Sequence, residues 1–252
     1  MKLLILGCGT STGVPVIGCG CSVCTSKDPR NVRTRSSALV TVNDKNILID
    51  TSTDLRGQAL SCGIKRVDAV LFTHPHADHI HGIDDLRSFN MLQKTSIPCY
   101  GNEHTIKRIH VMFDYIFNDE SQESWRPKLT TTVVDSPFKL FGTEIMPLEV
   151  MHGKSVILGY RLDAAAYVTD CSSIPKASMD RLYGLKLLII GALRHKPHPT
   201  HMTIEEAVEI SRELKPERTV LTHLSHNVDF AADNKKLPPG VELGYDGMEL
   251  EV

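Results

Sequence analysis

The sequence predicts an α/β layered fold, and three observations carry that expectation. Apolar or alternating runs of strand length take turns with stretches of helical periodicity along the 252 residues. The alternation falls into two similar halves with no linker between them, which points to one domain over 1–252. Several of the apolar runs stop at a histidine or an aspartate: Asp50, His74, His152, Asp170 and His223. Donors at strand ends along one sheet edge converge without disturbing a core.

Composition bounds the rest. Hydrophobic residues make up 41% and charged residues 23%, ordinary for a globular protein, and the net charge is -2. No basic block is present, so no long nucleic-acid partner is expected. The apolar opening Leu3–Leu6 is shorter than the ~7 to 15 residues of a signal peptide. No run approaches the ~18 residues of a membrane span, so no membrane is expected either. Seven cysteines is an odd number, with three of them at Cys19, Cys21 and Cys24. That spacing suits metal ligation in a reducing compartment better than disulfides, and the expected location is cytoplasmic.

Taken in order, residues 2 to 7 read as a strand ending in the glycine and hydroxyl loop Gly7–Pro15. This loop suits an anionic oxygen or a plain tight turn equally well. The C-x-C-x-x-C knuckle at Cys19, Cys21 and Cys24 needs a fourth donor to close a tetrahedral zinc site, and His226 is nominated. Two runs, Ser37–Val42 and Asn46–Asp50, flank Asn43-Asp44-Lys45 as a hairpin. Asp50 reads as a carboxylate that orients ligands. A helix over 54–63 stops at Gly63, and a strand over 68–73 follows. Helices are read over 82–87 and 104–117, the second with a stripe of Ile106, Ile109, Met112, Phe113 and Ile116. Residues 118–128, which contain Trp125, read as a long loop. Strands are expected over 129–134, 138–141, 144–151, 158–162 and 166–169, and a helix over 175–183. A strand over 187–190, the histidine-rich loop 194–201, a helix over 203–214 and a strand over 219–222 complete the chain.

The densest chemistry lies in Phe72-Thr73-His74-Pro75-His76-Ala77-Asp78-His79. Imidazole and carboxylate are the donors that borderline divalent metals prefer. Pro75 lacks an amide hydrogen and keeps the segment extended, so His74 and His76 point the same way. Asp78 and His79 open a helix, where a carboxylate is favoured by the unpaired amides. Two pairs of donors are thereby aimed at neighbouring points. Two cations close together can share a water, lower its pKa and clamp attacked and leaving oxygens.

The order His-x-His-x-Asp-His at 74–79, then His152, Asp170 and His223, resembles the metallo-β-lactamase superfamily. With the first glycine turn, the cysteine knuckle, Thr222–His226 and Gly244–Glu249, the chain is most similar to the phosphoribosyl 1,2-cyclic phosphate phosphodiesterase branch. The resemblance implies a four-layer αβ/βα sandwich with the site between two sheets. It implies one zinc or manganese ion on His74, His76 and His152, and a second on Asp78, His79 and His223, with Asp170 bridging. A structural zinc would sit on Cys19, Cys21, Cys24 and His226. His201 would protonate the leaving oxygen, with His198 and His195 near enough in sequence to compete, so His201 and Asp78 are the candidate catalytic residues. The implied substrate is a small phosphodiester of the cyclic ribose phosphate or nucleotide kind, and a homodimer is a candidate assembly. The alternatives on the same scaffold are a thioesterase, a ribonuclease Z-like hydrolase and a non-hydrolytic protein of the pyrroloquinoline quinone biosynthesis B type. Arg33, Arg35, Arg56, Arg87 and Arg194 are candidate phosphate contacts that otherwise read as solvated surface residues.

Overall fold

The computed structural model describes residues 1–118 and 125–252. The first half runs β1 (Lys2–Gly7), β2 (Ser37–Val42), β3 (Lys45–Ile49), α1 (Leu55–Ser61), β4 (Ala69–Leu71), α2 (Ala77–Ile80), α3 (Leu86–Gln93), β5 (Ile97–Gly101), α4 (Glu103–Met112), α5 (Asp114–Phe117) and β6 (Leu129–Val133). The second half runs β7 (Phe138–Leu140), β8 (Thr143–His152), β9 (Ser155–Leu162), β10 (Ala165–Val168), α6 (Lys176–Met179), β11 (Leu187–Gly191), α7 (Ile204–Leu214), β12 (Arg218–Thr222), α8 (Phe230–Asn234), β13 (Val241–Leu243) and β14 (Glu249–Glu251). One sheet has the order β14-β1-β2-β3-β4-β5-β6 and the other β13-β12-β11-β10-β9-β8-β7. The last strand thus returns to the first sheet, antiparallel to β1.

Side-chain alternation explains the layering. In β3, Ile47 and Ile49 enter the cluster between the sheets, where they share a core with Tyr160, Tyr167, Ile189 and Val220. Leu48, between them, faces the other way, into a cluster with Leu55, Ile80, Leu86 and Ile109 from the covering helices. On the second sheet Leu188, Ile190 and Leu221 pack against Ala207, Val208 and Leu214 of α7. Both faces of these strands are buried, which is why they read as continuous apolar runs. Each such side chain contributes roughly 1.5–3 kcal/mol by leaving water. The result is helix, sheet, sheet, helix: the four-layer sandwich the resemblance implies.

Local chemistry sets the element ends. The hairpin between β2 and β3 turns at Asn43 and Asp44, both at positive φ (48° and 58°), the signature of a two-residue turn matched to strand twist. Helix α7 begins with a capping box, in which the Thr203 side chain accepts from the Glu206 amide while Glu206 accepts from the Thr203 amide. No helix among the described residues is long and apolar enough to cross a membrane.

The helix expected over 82–87 is instead a 3₁₀ turn over 83–85 followed by α3 to Gln93. The helix expected over 104–117 is interrupted at Phe113, whose ψ of 44° breaks the repeat. The one expected over 175–183 stops at Met179, and Arg161 collects the carbonyls of Arg181 and Tyr183 beyond it. Four elements carry no sequence signal of their own: β5, α8, β13 and β14. Of the loop expected over 118–128, residues 119–124 lie outside the described residues, and Trp125 is exposed.

Candidate metal centres

Three strand tips on the same edge turn sharply. Asp50 after β3, Asp170 after β10 and His223 after β12 all adopt positive φ, at 61°, 56° and 58°. A left-handed conformation costs a non-glycine residue of order 1–3 kcal/mol, so it persists only where surroundings dictate it. Here the turn swings a carboxylate or imidazole off the strand direction and into the space between the sheets.

Asp50 organises the first-half donors from beneath. It is fully buried, and its Oδ2 accepts from His79 Nδ1–H at 2.7 Å and from the Thr73 hydroxyl at 2.7 Å. Its Oδ1 accepts from the Thr73 amide at 2.8 Å. Thr73 Oγ1 accepts in turn from His74 Nδ1–H at 3.0 Å. With both Nδ1 atoms engaged, the Nε2 atoms of His74 and His79 are left facing the cavity, which is how a supporting carboxylate fixes the tautomer of a ligating histidine. Gly82 makes this possible: a Cβ there would lie 2.0 Å from the Ser52 carbonyl, so α2 comes this close to the Asp50 tip only with glycine after it.

The donor atoms then converge. His79 Nε2 lies 3.2 Å from Asp78 Oδ2 and 3.3 Å from Asp170 Oδ1, and His223 Nδ1 lies 3.1 Å from the same Asp170 oxygen. The other Asp170 oxygen is 3.9 Å from His74 Nε2, which itself lies 3.1 Å from His76 Nδ1. His152 donates from Nδ1 to the Asp170 carbonyl at 2.6 Å, and its ring lies 5.1 Å from that of His76. Asp78, His79, Asp170 and His223 therefore form one group with donor atoms within 4.8 Å of one another, and His152, Asp170 and His201 form another. Asp170 is common to both.

The fit to cations is testable from these distances. Two donors each about 2.0–2.1 Å from one ion at a tetrahedral angle stand about 3.3 Å apart, and the spacings of 3.1 to 3.3 Å around His79, His223 and His74 match it. Among the described residues, His79 Nε2, for all its nearby carboxylates, and His201 Nδ1 are buried with no well-aligned hydrogen-bond partner. Electrostatics say the same. Burial alone would discharge His79, yet Asp170, Asp78 and Asp50 together hold it well above its ordinary value. Burial would raise Asp170, but His223 and His79 outweigh it and hold the carboxyl well below the usual range. His74, pushed down by burial and by His79, stays a neutral donor. A cation is the group that such an array of lone pairs and carboxylates lacks.

The cysteine knuckle meets the same test. Cys19, Cys21 and Cys24 Sγ stand 3.3, 3.6 and 3.6 Å from His226 Nδ1. A tetrahedral zinc with bonds of about 2.3 Å to sulfur and 2.0–2.1 Å to nitrogen requires about 3.6 Å. The Cys24 amide donates to Cys21 Sγ at 3.5 Å and, with burial opposing, brings that thiol down to about 6. The thiolate a metal needs is thus favoured.

His201 lies over both halves of the main cluster. Its ring stacks on His223 at 4.9 Å, meets His152 at 4.8 Å edge-on, and faces His198 at 5.0 Å. His195 is drawn away, 3.3 Å from Asp233. Three further groups support the site: Thr10 and Asp246 lie in the first loop and in the 244–249 segment already singled out, and Ser36 carries no signal in the sequence. Thr10 and Ser36 hold the two nitrogens of His223, each at 3.2 Å. Asp246 accepts from the Cys8 and Thr34 amides at 3.0 and 2.7 Å, tying the C-terminal stretch to the first loop. Of the five candidate arginines, Arg56 and Arg87 are exposed as expected, and two differ. Arg35 pairs with Asp54 at 3.0 Å, and Arg33 is 1% exposed.

Comparison with known proteins matches this geometry. Residues 45–224, which hold every His and Asp donor of the main cluster, match the β-lactamase superfamily domain. A solved structure of a diphosphatase from the PhnP family is 45% identical, covers 100% of this chain and 97% of its own, and superposes with a TM-score of 0.93. Zinc-bound PqqB from Methylobacterium extorquens, 19% identical over 100% of both chains, shares the fold with a TM-score of 0.80. An octanoyltransferase of Porphyromonas gingivalis is 39% identical over 253 residues, 99% of this chain, but the chain spans only 51% of that relative. From superfamily match and near-complete correspondence with the diphosphatase together, the chain belongs to the β-lactamase superfamily and, within it, to the PhnP family.

Proposed function

We propose that the protein is a metal-dependent hydrolase that cleaves a small phosphodiester or a related diphosphate. The observation that carries this reading is the position of Asp170, one oxygen 3.3 Å from His79 and the other 3.9 Å from His74. One carboxylate facing two donor sets is what a two-cation site requires. The similarity to a diphosphatase supports a phosphate-bearing substrate.

His74, His76 and His152 would hold one ion, and Asp78, His79 and His223 the other, with Asp170 shared; zinc and manganese both suit these donors. Bound there, the ions neutralise the phosphate and make a water acidic enough to attack at neutral pH. Asp50 and Thr73 engage the Nδ1 atoms of His79 and His74 and so aim their Nε2 atoms inward. His201 supplies the proton that an alkoxide leaving group needs. Burial, and next His223, hold it down to about 3 in the free protein. To act as that acid it must be raised by the charge of a bound phosphate. Cys19, Cys21, Cys24 and His226 hold a separate structural zinc.

A second reading, hydrolysis of an acyl ester or thioester, is favoured by the relative named octanoyltransferase. One panel separates the two. Protein supplied with manganese or zinc is expected to release nitrophenolate from bis(p-nitrophenyl) phosphate and to leave an octanoyl thioester and nitrocefin intact. Release no greater than that of His76→Ala overturns the phosphodiesterase reading, and turnover of the thioester alone establishes the acyl one.

A further inference from the structure

Arg33 is a large, charged side chain that is fully buried, at 1% exposure. Among the described residues no carboxylate oxygen comes within 4.0 Å of its guanidinium. Two of its nitrogens donate at 3.0 Å each, Nη1 to the Ser225 carbonyl and Nη2 to Asn31 Oδ1, while Nε is buried with no partner. A guanidinium enclosed with no carboxylate in direct contact is expensive, even with Asp246, Asp229 and Asp233 nearby, and replacing such groups with apolar ones often stabilises a protein. Its place in the fold shows what it does instead.

Ser225 lies between His223 and His226. The first faces the Asp170 cluster and the second faces the three cysteines, so one segment of the chain serves both centres. Its backbone is anchored on both sides of Ser225. The Leu224 amide donates to the Cys8 carbonyl at 2.8 Å, the Ser225 amide to the Leu193 carbonyl at 2.9 Å, and the Ser225 carbonyl takes Arg33. Arg33 also exchanges a pair of backbone hydrogen bonds with Val14, at 2.7 and 2.8 Å, where the loop enters the knuckle. Asn31, its other acceptor, is buried and reaches Ser26 beyond the knuckle and Asp229 ahead of α8, at 3.1 Å each.

We propose that Arg33 is a positioning residue that joins the two metal centres into one mechanical unit, by fixing the segment that carries His223 at one end and His226 at the other. The proposal rests on the dinuclear reading above. Loss of the Ser225 contact frees both imidazoles together, so both centres bind metal more weakly. Losing a group that orients a ligand typically costs about 10- to 100-fold in metal affinity.

The test uses the full chain loaded with Co(II), whose thiolate charge-transfer absorption reports the cysteine site and whose visible d–d bands report the His/Asp cluster. Affinities at each are measured by competition with a chelator. In Arg33→Lys, which keeps the charge but loses the planar fork that spans Ser225 and Asn31, both affinities are expected to fall about tenfold or more. Asn31→Ala, which removes the second acceptor, is expected to do the same more mildly and serves if the lysine variant folds poorly. Ile109→Val, a core change on the buried face of α4, lowers the melting temperature but leaves both cobalt signatures intact. If Arg33→Lys loses stability with both cobalt sites unchanged, or weakens only one of them, the coupling is wrong. A wild-type protein that takes cobalt only at the cysteines overturns the dinuclear reading, and this proposal with it.

Discussion

At the scale of single residues, the site is a set of imidazoles whose usefulness depends on what sits behind them. Asp50 is the clearest case, since it touches His79 directly and His74 through Thr73. Asp50→Asn replaces one accepting oxygen by a donor and disturbs the tautomer of both histidines. Metal affinity in the main cluster is expected to fall about 10- to 100-fold, measured by chelator competition, while the cysteine site is unaffected. His201→Ala should show a different signature. Its loss of rate is expected to reach about 10²- to 10⁴-fold on an alkyl diester and to shrink on nitrophenyl esters, whose leaving group needs no proton. Equal losses on both would assign His201 to binding. The histidines themselves were legible in the sequence because ligand chemistry is dense and its spacing is periodic. The groups behind them were less so: Thr10 and Asp246 fall in segments that stood out, but what they hold, and Ser36 altogether, emerges only when the fold brings the chain ends together. Arg33 was misread for the same reason, because an isolated arginine is usually solvated and only tertiary packing encloses this one.

At the scale of elements, the fold places donors by ending strands rather than by building a dedicated loop. The strands that carry this function, β3, β10 and β12, are apolar on both faces and terminate at a polar residue, a pattern that survives in the sequence. Short or irregular pieces are another matter. β5 is Ile97-Pro98-Cys99-Tyr100-Gly101, with a proline and a glycine in five residues, and β13 and β14 are three residues each; their pairing partners define them, not their own periodicity. Two substitutions test how elements hold the site. Gly82→Ala sets a Cβ 2.0 Å from the Ser52 carbonyl, so α2 must shift; a lower melting temperature and weaker metal binding are expected together. Thr203→Ala removes the capping box of α7, which carries no donor. A loss of about 0.5–2 kcal/mol in chemical denaturation is expected, with metal content unchanged.

At the scale of the whole molecule, two sheets close over a core and leave one edge where buried carboxylates and imidazoles outnumber their protein partners. Such an edge stores instability that a bound cation relieves, so metal and fold are linked. Chelation is expected to lower the melting temperature, and free metal at a hundred times its Kd to restore about 2.7 kcal/mol. The central claim is that strand tips from both halves hold a pair of cations across Asp170. Counting ions per folded chain by elemental analysis, with anomalous scattering to place them, tests it most directly. Two ions flanking Asp170 and a third among Cys19, Cys21, Cys24 and His226 is the predicted result; a main cluster that never takes more than one ion, whatever metal is supplied, would contradict it.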